Sequence, residues 1–379
     1  MRVQQSQWSV GSGWEGARAA EPMTDAQLVL AFGGARALRD EDALRALAAA
    51  HPRAHLVGCS TAGEIRGTSV ADDTLVATAV RFDSTRLAAA CVGISSTSES
   101  HAAGERLARE LSPGGLVHVM VFSDGLCVNG SELVAGLTRH LPPNVTVTGG
   151  LSADGDRFEK TFVLWDGAPV PNTIEAIGFY GGRLMVGYGS LGGWDPFGPE
   201  RLITRSDGNV LHELDGRSAL ELYRDYLGEH AAGLPATGLL FPLSVRAASG
   251  DVPVVRTILG IDSDRRTMTF AGDMPKGAYA RLMKANFERL IGGAADAAKT
   301  SLATLGGTAP QLAILISCVG RKLVLKQRIE EEVEAVSEVL GGGVALTGFY
   351  SYGEIAPFSR SGRCELHNQT MTVTTLAEV

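Results

Sequence analysis

The stretch GFYSYGE at residues 348–354 places two glycines and a final acid directly after a short apolar segment, Val344–Thr347. Two further stretches share this pattern, GCSTAGE at residues 58–64 and GLSADGD at residues 150–156. In each one a glycine is followed five residues later by glycine and six residues later by Glu or Asp. Three matches at one spacing indicate an internal repeat.

The same order of elements precedes each stretch: an apolar strand, an amphipathic helix and a short second strand. Strand, helix and strand in succession favour a parallel pair covered by a helix, and the alternating segments that follow favour antiparallel neighbours. The sequence therefore predicts an α/β fold with mixed sheets flanked by helices and three internal βαβ-Gly-turn-acid repeats. The three predicted sets are Leu28–Phe32, Leu38–Ala50 and His55–Val57; Leu116–Phe122, Asn129–His140 and Val145–Thr148; and Gln311–Cys318, Leu325–Leu340 and Val344–Thr347.

Turn signals divide the chain into two closely packed domains. The pairs Asp207-Gly208 and Asp215-Gly216 mark turns, and we place the boundary near residue 215, between residues 23–215 and 216–379. Residues 1–22, rich in Gln, Ser and Gly, are expected to form a disordered N-terminal extension, and Met23 is an alternative start.

Charge and composition narrow the classes of partner. The chain has 34 Lys and Arg against 42 Asp and Glu, a net charge of −8, and its basic residues are scattered. This argues against nucleic acid or an anionic membrane as a partner. No apolar run approaches the roughly 20 residues of a membrane helix. Five cysteines without a C-x-x-C pair are typical of reduced thiols, so we expect a cytoplasmic protein.

Eight segments together resemble the FIST family, and the resemblance extends over about residues 28 to 376. GFYSYGEIAP at residues 348–357 is the most specific of them. The segments similar to the FIST N-terminal domain are Val57–Ile65, Val121–Gly130, Gly149–Asp156 and Ala176–Tyr180, and those similar to the C-terminal domain are Leu220–Leu227, Arg256–Asp262, Phe270–Gly277 and Gly348–Pro357.

The resemblance implies a sensory module of signal transduction that binds small ligands such as amino acids. It also implies output through a separate signalling partner, such as a histidine kinase or a cyclic-dinucleotide enzyme, and we expect no enzymatic activity. Haem-based gas sensing in some relatives leaves an alternative open, with His212, His230 and His367 as candidate ligands. Because no paired His or Cys ligand set is present, we expect neither metal nor cofactor.

The glycine turns are the candidate ligand site, because glycine exposes backbone N–H groups and allows close approach. The acids Glu64, Asp156 and Glu354 follow the turns and could bind an ammonium group. A second candidate is Ser123 with Asp124, between a strand and a helix N-terminus that suits a carboxylate. The polar neighbours expected to supply hydrogen bonds are Ser60, Thr61, Ser152, Tyr350, Ser351 and Tyr352.

We expect the ligand to lie in a cleft between the two domains, with Glu354 facing its amine and Tyr350 or Tyr352 alongside. The plainer interpretation is that these acids only close their loops. A third class, an acyl- or amide-processing enzyme with a nucleophilic Ser or Cys, stays open, although no His lies near Cys59, Cys127 or Cys318 in sequence.

Overall fold

The computed structural model describes residues 1–15, 22–246, 253–357 and 364–379. Within these ranges it confirms the α/β class with mixed sheets and three repeats. The first unit contains β1 (Arg2–Ser9), β2 (Gly13–Glu15), β3 (Leu28–Gly34), α1 (Glu41–Ala50), β4 (His55–Thr61), β5 (Glu64–Arg66), β6 (Ser69–Ala71) and β7 (Leu75–Arg81). The second contains β8 (Arg86–Gly93), α2 (Ser100–Glu110), β9 (Leu116–Ser123), α3 (Gly130–His140), β10 (Thr146–Leu151), β11 (Val163–Trp165), β12 (Ala168–Val170) and β13 (Thr173–Tyr180).

The third unit is interrupted by an inserted domain after its first strand. It begins with β14 (Leu184–Leu191), before the insertion of β15 (Asp195–Asp207), β16 (Val210–Leu214), β17 (Arg217–Ser218), α4 (Ala219–Leu227), β18 (Leu243–Arg246), β19 (Val254–Arg256), β20 (Ile258–Asp262), β21 (Thr267–Phe270) and β22 (Tyr279–Lys284). It resumes with α5 (Phe287–Thr304), β23 (Leu312–Cys318), α6 (Val319–Leu325), α7 (Ile329–Leu340), β24 (Ala345–Ser351), β25 (Gly353–Pro357), β26 (Cys364–His367) and β27 (Met371–Glu378).

The three units build the same four-stranded core sheet. The strand orders are β4-β3-β7-β1, β10-β9-β13-β8 and β24-β23-β27-β14. In each sheet the first two strands are parallel, and the third is antiparallel to its neighbour in the pair. The helices follow their sequence signals: the side chain of Asn129, for example, caps α3 by accepting from the backbone of Ser131 and Glu132.

Each unit donates a hairpin to a neighbouring sheet. The first unit's β5–β6 adds to β24, the second unit's β11–β12 adds to β4, and the third unit's β25–β26 adds to β10. The first unit thus extends the sheet of the third, the third extends that of the second, and the second extends that of the first. The three sheets are therefore joined in a closed ring, and each one depends on backbone hydrogen bonds from another unit.

Three glycines allow the second strand of each parallel pair to lie close to the first. A Cβ added to Gly58, Gly149 or Gly348 would stand 1.9, 2.0 or 1.8 Å from the carbonyl oxygen of the paired residue. Gly58 and Gly149 also have φ values of 148° and 156°, which side chains rarely adopt. The counterpart in the second unit is thus Gly149, one residue before the glycine that the sequence pattern aligned.

The centre of the ring is apolar and aromatic. The rings of Phe32, Phe122 and Phe349, one from each unit, have centroids 4.7 to 6.2 Å apart. All three are fully buried. Such pairs add about 0.5–1.5 kcal/mol each beyond their buried area, so the units are held by side chains as well as by hairpins.

The inserted domain has its own apolar cluster, which includes Ile203, Leu220, Ile258 and Phe270. Residue 215, where the sequence predicts a domain boundary, lies between β16 and β17 of this domain, and these two strands pair with each other.

The predicted disorder of the N-terminus is wrong for Arg2–Ser9. This segment is β1, which pairs with β7 from Arg2 opposite Arg81 to Trp8 opposite Leu75. The polar side chains that suggested disorder are used in the fold: Gln5 donates to the carbonyl of Leu346 at 2.8 Å. Of the remaining predicted extension, residues 16–21 lie outside the described part of the chain.

We expect Gly149→Ala to destabilise the protein by about 2 kcal/mol or more, because both the φ angle and the contact with the Val121 carbonyl oppose a side chain. Urea denaturation measures the change. Gly114→Ala is the matched control, since an added Cβ there meets nothing within 4 Å. Equal midpoints for the two variants would contradict the close-approach requirement.

Candidate functional site

The three turns that follow β4, β10 and β24 meet one another. The backbone N–H of Ala62 donates to Tyr350 O at 2.8 Å, and that of Tyr350 donates to Gly63 O at 2.9 Å. The second turn joins the other two, since Ala153 N donates to Ser60 O at 2.9 Å and Tyr352 N donates to Leu151 O at 3.2 Å. The candidate residues of the three turns are thus brought to one place.

Glu64 and Glu354 occupy equivalent positions with equivalent partners. Glu354 is fully buried; one oxygen accepts from Ser351 Oγ at 2.6 Å and the other from the backbone and hydroxyl of Thr370 at 3.1 and 2.9 Å. Glu64 accepts in the same way from the hydroxyl of Thr61 and from the backbone and hydroxyl of Thr74. Each acid therefore ties its turn to the strand that returns along the sheet.

Burial raises the pKa of both acids. It raises the pKa of Glu64 to about 7 and that of Glu354 to about 8, although the hydroxyl and amide donors lower it in part. Since Ser and Thr hydroxyls can donate or accept, the same contacts serve the neutral and the charged acid. The expectation that Glu354 and Ser351 face a ligand is corrected, because both carboxyl oxygens are occupied by the chain itself.

The second turn differs from the other two in length. The donated strand that follows this turn, β11, begins only at Val163. Val163 lies opposite Cys59 in β4, just as Glu354 of the third unit lies opposite Gly150 in β10. Asp156 falls in the additional loop, is exposed, and is not the counterpart of Glu64 and Glu354. The sequence pattern includes Asp156 because its spacing from Gly150 matches the glycine-to-acid spacing of the other two stretches.

The buried acid of this longer loop is Asp154. Its carboxylate accepts from the backbone N–H groups of Phe158, Glu159 and Lys160 at 2.9 to 3.0 Å, and from the hydroxyl of Tyr352. The ring of Tyr352 also stacks on Phe158, with centroids 4.5 Å apart. Tyr352 therefore fixes the loop rather than lying free for a ligand.

Tyr350 belongs to a buried network behind the third turn. Its hydroxyl donates to Glu332 at 2.8 Å, and Glu332 accepts from Arg321 at 2.6 Å. The side chains of Arg321 and Glu332 are both fully buried. The aromatic partner expected for a ligand amine is instead part of the packing between α6, α7 and β24.

The remaining predicted site residues, Ser60, Ser123, Asp124 and Ser152, differ in their hydrogen-bond partners. Ser60 accepts from the backbone of Phe162, and Ser123 donates to the carbonyl of Asp124. Asp124 accepts from the backbone of Leu126 and Cys127 and from the hydroxyl of Thr161, which completes a loop. Ser152 is fully buried, and its hydroxyl has no hydrogen-bond partner among the described residues.

A pocket of about 370 Å³ opens at the ends of β3 and β4, and all three units line it. We call it the three-unit pocket. Three of the predicted residues lie here, Thr61, Glu64 and Asp156. The full lining is Gly34, Thr61, Ala62, Gly63, Glu64, Asp72 and Asp73 from the first unit; Gly155, Asp156 and Arg157 from the second; and Val319, Lys322 and Leu323 from the third.

No local motif in the sequence marks the two cations of this pocket, Lys322 and Arg157. The ammonium of Lys322 donates to Ala62 O at 2.7 Å, pairs with Asp72, and stands 5.7 Å from the centroid of Tyr350. Its side chain is 17% exposed. Lys322 comes from α6, 258 residues after Glu64, and Arg157 comes from the added loop. Only the closure of the ring brings these residues together.

A larger cleft of about 1000 Å³ lies between the second unit and the inserted domain. An interdomain cleft is what the sequence predicted, but none of Tyr350, Ser351, Tyr352 or Glu354 lines it. The predicted cleft and the predicted residues are therefore at different places in the molecule.

The thiols and imidazoles named as alternatives are dispersed. Burial raises the pKa of Cys59 well above its usual value and that of Cys318 to about 12, and it also raises the pKa of Cys127, so the thiolate is disfavoured. His367 is buried against Ala356 O, whereas His212 contacts Arg205. Within the described ranges, no group of three His, Cys, Asp or Glu side chains is arranged to hold a metal ion.

Two family models match the chain. The model of the FIST N domain matches residues 27–217, and that of the FIST C domain matches residues 219–357. Among the described helices, none has the length and apolarity to cross a bilayer.

Uncharacterized proteins of three organisms are similar in sequence. One from Methanocaldococcus jannaschii is 25% identical over 229 residues, which cover 56% of this chain and 42% of the relative. Proteins of Mycobacterium bovis and Mycobacterium tuberculosis are 26% identical over 245 residues, 61% of this chain and 60% of each relative. The chain thus spans about half of the length of the curated relatives that it matches.

Among solved structures, the chain is similar to cyanuric acid hydrolase from A. caulinodans, with a TM-score of 0.39, 10% identity, and coverage of 100% of this chain and 98% of that one. A second cyanuric acid hydrolase gives a TM-score of 0.30 with 11% identity and covers 100% of this chain and 99% of that one. These values support no conclusion about activity.

The raised pKa values of Glu64 and Glu354 predict a pH dependence of stability. Both acids bind a proton more tightly in the folded than in the unfolded state, so the free energy of unfolding falls as the pH rises from about 4.5 towards 8. The double variant Glu64→Gln/Glu354→Gln keeps the shape and removes the titration. We expect its stability to change less over this range in urea denaturation.

Glu41→Gln, a change at an exposed residue of α1, is the control and should keep the wild-type slope. A double variant whose stability changes with pH as steeply as that of the wild type would show that the two acids are ionised in the folded protein.

Proposed function

Because this chain belongs to the FIST family, whose two domain models match it from residue 27 to residue 357, we propose that it binds a small zwitterionic metabolite, of the amino-acid class, in the three-unit pocket. FIST domains are sensory domains of signal transduction, and a sensory role follows for this chain. The finer assignment, to ligand class and site, rests on the geometry of the pocket.

The observation that carries the proposal is the meeting of both signs of charge from all three units. Lys322 and Arg157 line the pocket together with Asp72, Asp73 and Asp156. Cations suit the carboxylate of an amino acid, and carboxylates suit its ammonium group. A volume of 370 Å³ lies within the range of small-molecule sites.

Lys322 is the group best placed to contact the ligand carboxylate. Its ammonium has three donors, and the structure assigns one to Ala62 O and one to Asp72. The Asp72 side chain is 69% exposed, so a ligand carboxylate can replace it without leaving a buried acid unpaired. Asp73 and Asp156, both exposed, are available to the ligand amine.

Binding at this place would report on the whole ring. A ligand in contact with Thr61, Asp156 and Lys322 touches one turn, one loop and one helix from three different units. It therefore favours the arrangement in which the three are closed around it, and a partner that senses this arrangement receives the signal. We propose a separate signalling protein as that partner, such as a histidine kinase or a cyclic-dinucleotide enzyme.

The proposed location is the cytoplasm. All five cysteines are free in the structure, with Cys59 and Cys318 buried and the other three partly buried. Free thiols persist in a reducing compartment.

We expect at least one of the twenty amino acids to bind in isothermal titration calorimetry, and Lys322→Met to weaken that binding about tenfold, equivalent to roughly 1.4 kcal/mol. The change removes the charge opposite the ligand carboxylate and keeps most of the apolar stem. Asp72→Asn should not weaken binding, because it frees Lys322 from its present partner.

The matched control is Lys299→Met, at an exposed lysine of α5 that also pairs with a nearby aspartate and lies outside the pocket. It should bind as the wild type does. The proposal fails if no amino acid binds the wild-type protein, or if Lys322→Met and Lys299→Met bind equally well.

A further inference from the structure

The cleft of about 1000 Å³ is built by three parts of the molecule that are distant in sequence. The helix α3 and strand β10 form one wall, the inserted domain forms another, and the hairpin β25–β26 completes it. Arg256, Val134, Val245 and Leu366 are among the residues that line it.

Arg256 is the buried cation of this cleft. The residue is only 6% exposed, yet its guanidinium bonds to neutral oxygens: Nε donates to Asp273 O at 3.2 Å and Nη1 donates to Leu366 O at 2.9 Å. The Nη2 group has one long contact, 3.5 Å to Ser131 Oγ. Among the described residues, Glu365 and Asp273 act on this guanidinium through their charge alone, without a hydrogen bond from it to either carboxylate.

The nearest acids do not neutralise this charge by direct contact. The carboxylate of Asp273 instead accepts from Asn129 at 2.7 Å, and Glu365 is exposed. Burial lowers the pKa of Arg256 to about 10, with partial compensation from Glu365 and Asp273. A buried cation whose hydrogen-bond partners are neutral favours an anion that can reach its remaining donors.

Besides polar groups that include Thr138, Arg139 and Glu365, the lining has apolar residues that suit an apolar body. Val134, Val245 and Leu366 are buried residues of the three walls, and Val254 is partly buried beside Arg256. Apolar surface beside polar groups that fix the orientation of a ligand is common in small-molecule sites.

We propose that this cleft is a second binding site, separate from the three-unit pocket, for a small amphipathic carboxylate whose charged group is held by Arg256 and whose apolar part lies against the valines. The site spans the second unit, the inserted domain and the third unit's hairpin. A ligand there links the inserted domain to the ring.

A purely structural role for Arg256 is the competing explanation, because its bonds to Leu366 and Asp273 already connect two of these parts. That role needs no ligand and gives no preference for anions. The two explanations therefore differ in whether the wild-type protein distinguishes octanoate from octylammonium, which have the same apolar chain and opposite charge.

Isothermal titration calorimetry with octanoate and octylammonium tests the proposal on the full chain. We expect the wild type to bind octanoate in the millimolar range or tighter, and octylammonium at least tenfold more weakly. Arg256→Gln should remove this preference, with circular dichroism and the melting temperature as checks that the variant is folded.

A second variant keeps Arg256 and fills the cleft. Ala135 is an exposed residue of α3 that lines the cleft, so Ala135→Trp should weaken octanoate binding at least tenfold without loss of stability. Its matched control is Ala102→Trp, at an exposed alanine of α2 outside the cleft. Lys322→Met should leave octanoate binding unchanged, which separates this site from the three-unit pocket.

The proposal is overturned if octanoate fails to bind, if octylammonium binds equally well, or if Ala135→Trp and Ala102→Trp have the same effect. If Arg256→Gln does not fold, the charge preference of the wild type and the comparison of the two tryptophan variants still decide the question.

Discussion

Hairpin exchange between neighbouring sheets is the constraint on which the other features of this protein depend. Each parallel pair is extended by two strands of another unit, and the backbone at Gly58, Gly149 and Gly348 must lie against a facing carbonyl for the turns to meet. A side chain at any of the three would separate the paired strands. The closed ring, the aromatic centre and the position of the turns all follow from this close approach.

Closure of the ring buries some polar side chains, which then support the fold, and leaves others accessible to a ligand. Glu64 and Glu354 are used to hold the turns, and Asp154 with Tyr352 holds the longer loop. What remains accessible comes from the edges of three units: charged side chains around the three-unit pocket. The interdomain cleft differs, since a buried guanidinium there lies beside apolar residues as well as polar groups such as Thr138 and Glu365.

The repeat was predictable because in two copies the glycine at the close approach, Gly58 or Gly348, begins the spacing that ends in a buried acid. The longer second loop was not predictable from the sequence. Gly155 and Asp156 have the same spacing from Gly150 as the glycine and acid of the other copies, but they lie in the added loop. The strand β1 was missed because its glutamines bond to the neighbouring sheet instead of packing as apolar residues. Lys322 lies outside every motif noted in the sequence, and Arg256 begins a segment similar to the FIST C-terminal domain without any local sign of a ligand role. The roles of both residues arise from contacts between distant segments.

A ligand in the three-unit pocket would contact all three units at once. Hydrogen–deuterium exchange with and without the tightest-binding amino acid tests this directly, since protection reports local opening of each segment. We expect simultaneous protection of residues 61–74, 154–158 and 319–323. Protection confined to one of these segments, or found only around the interdomain cleft, would contradict it.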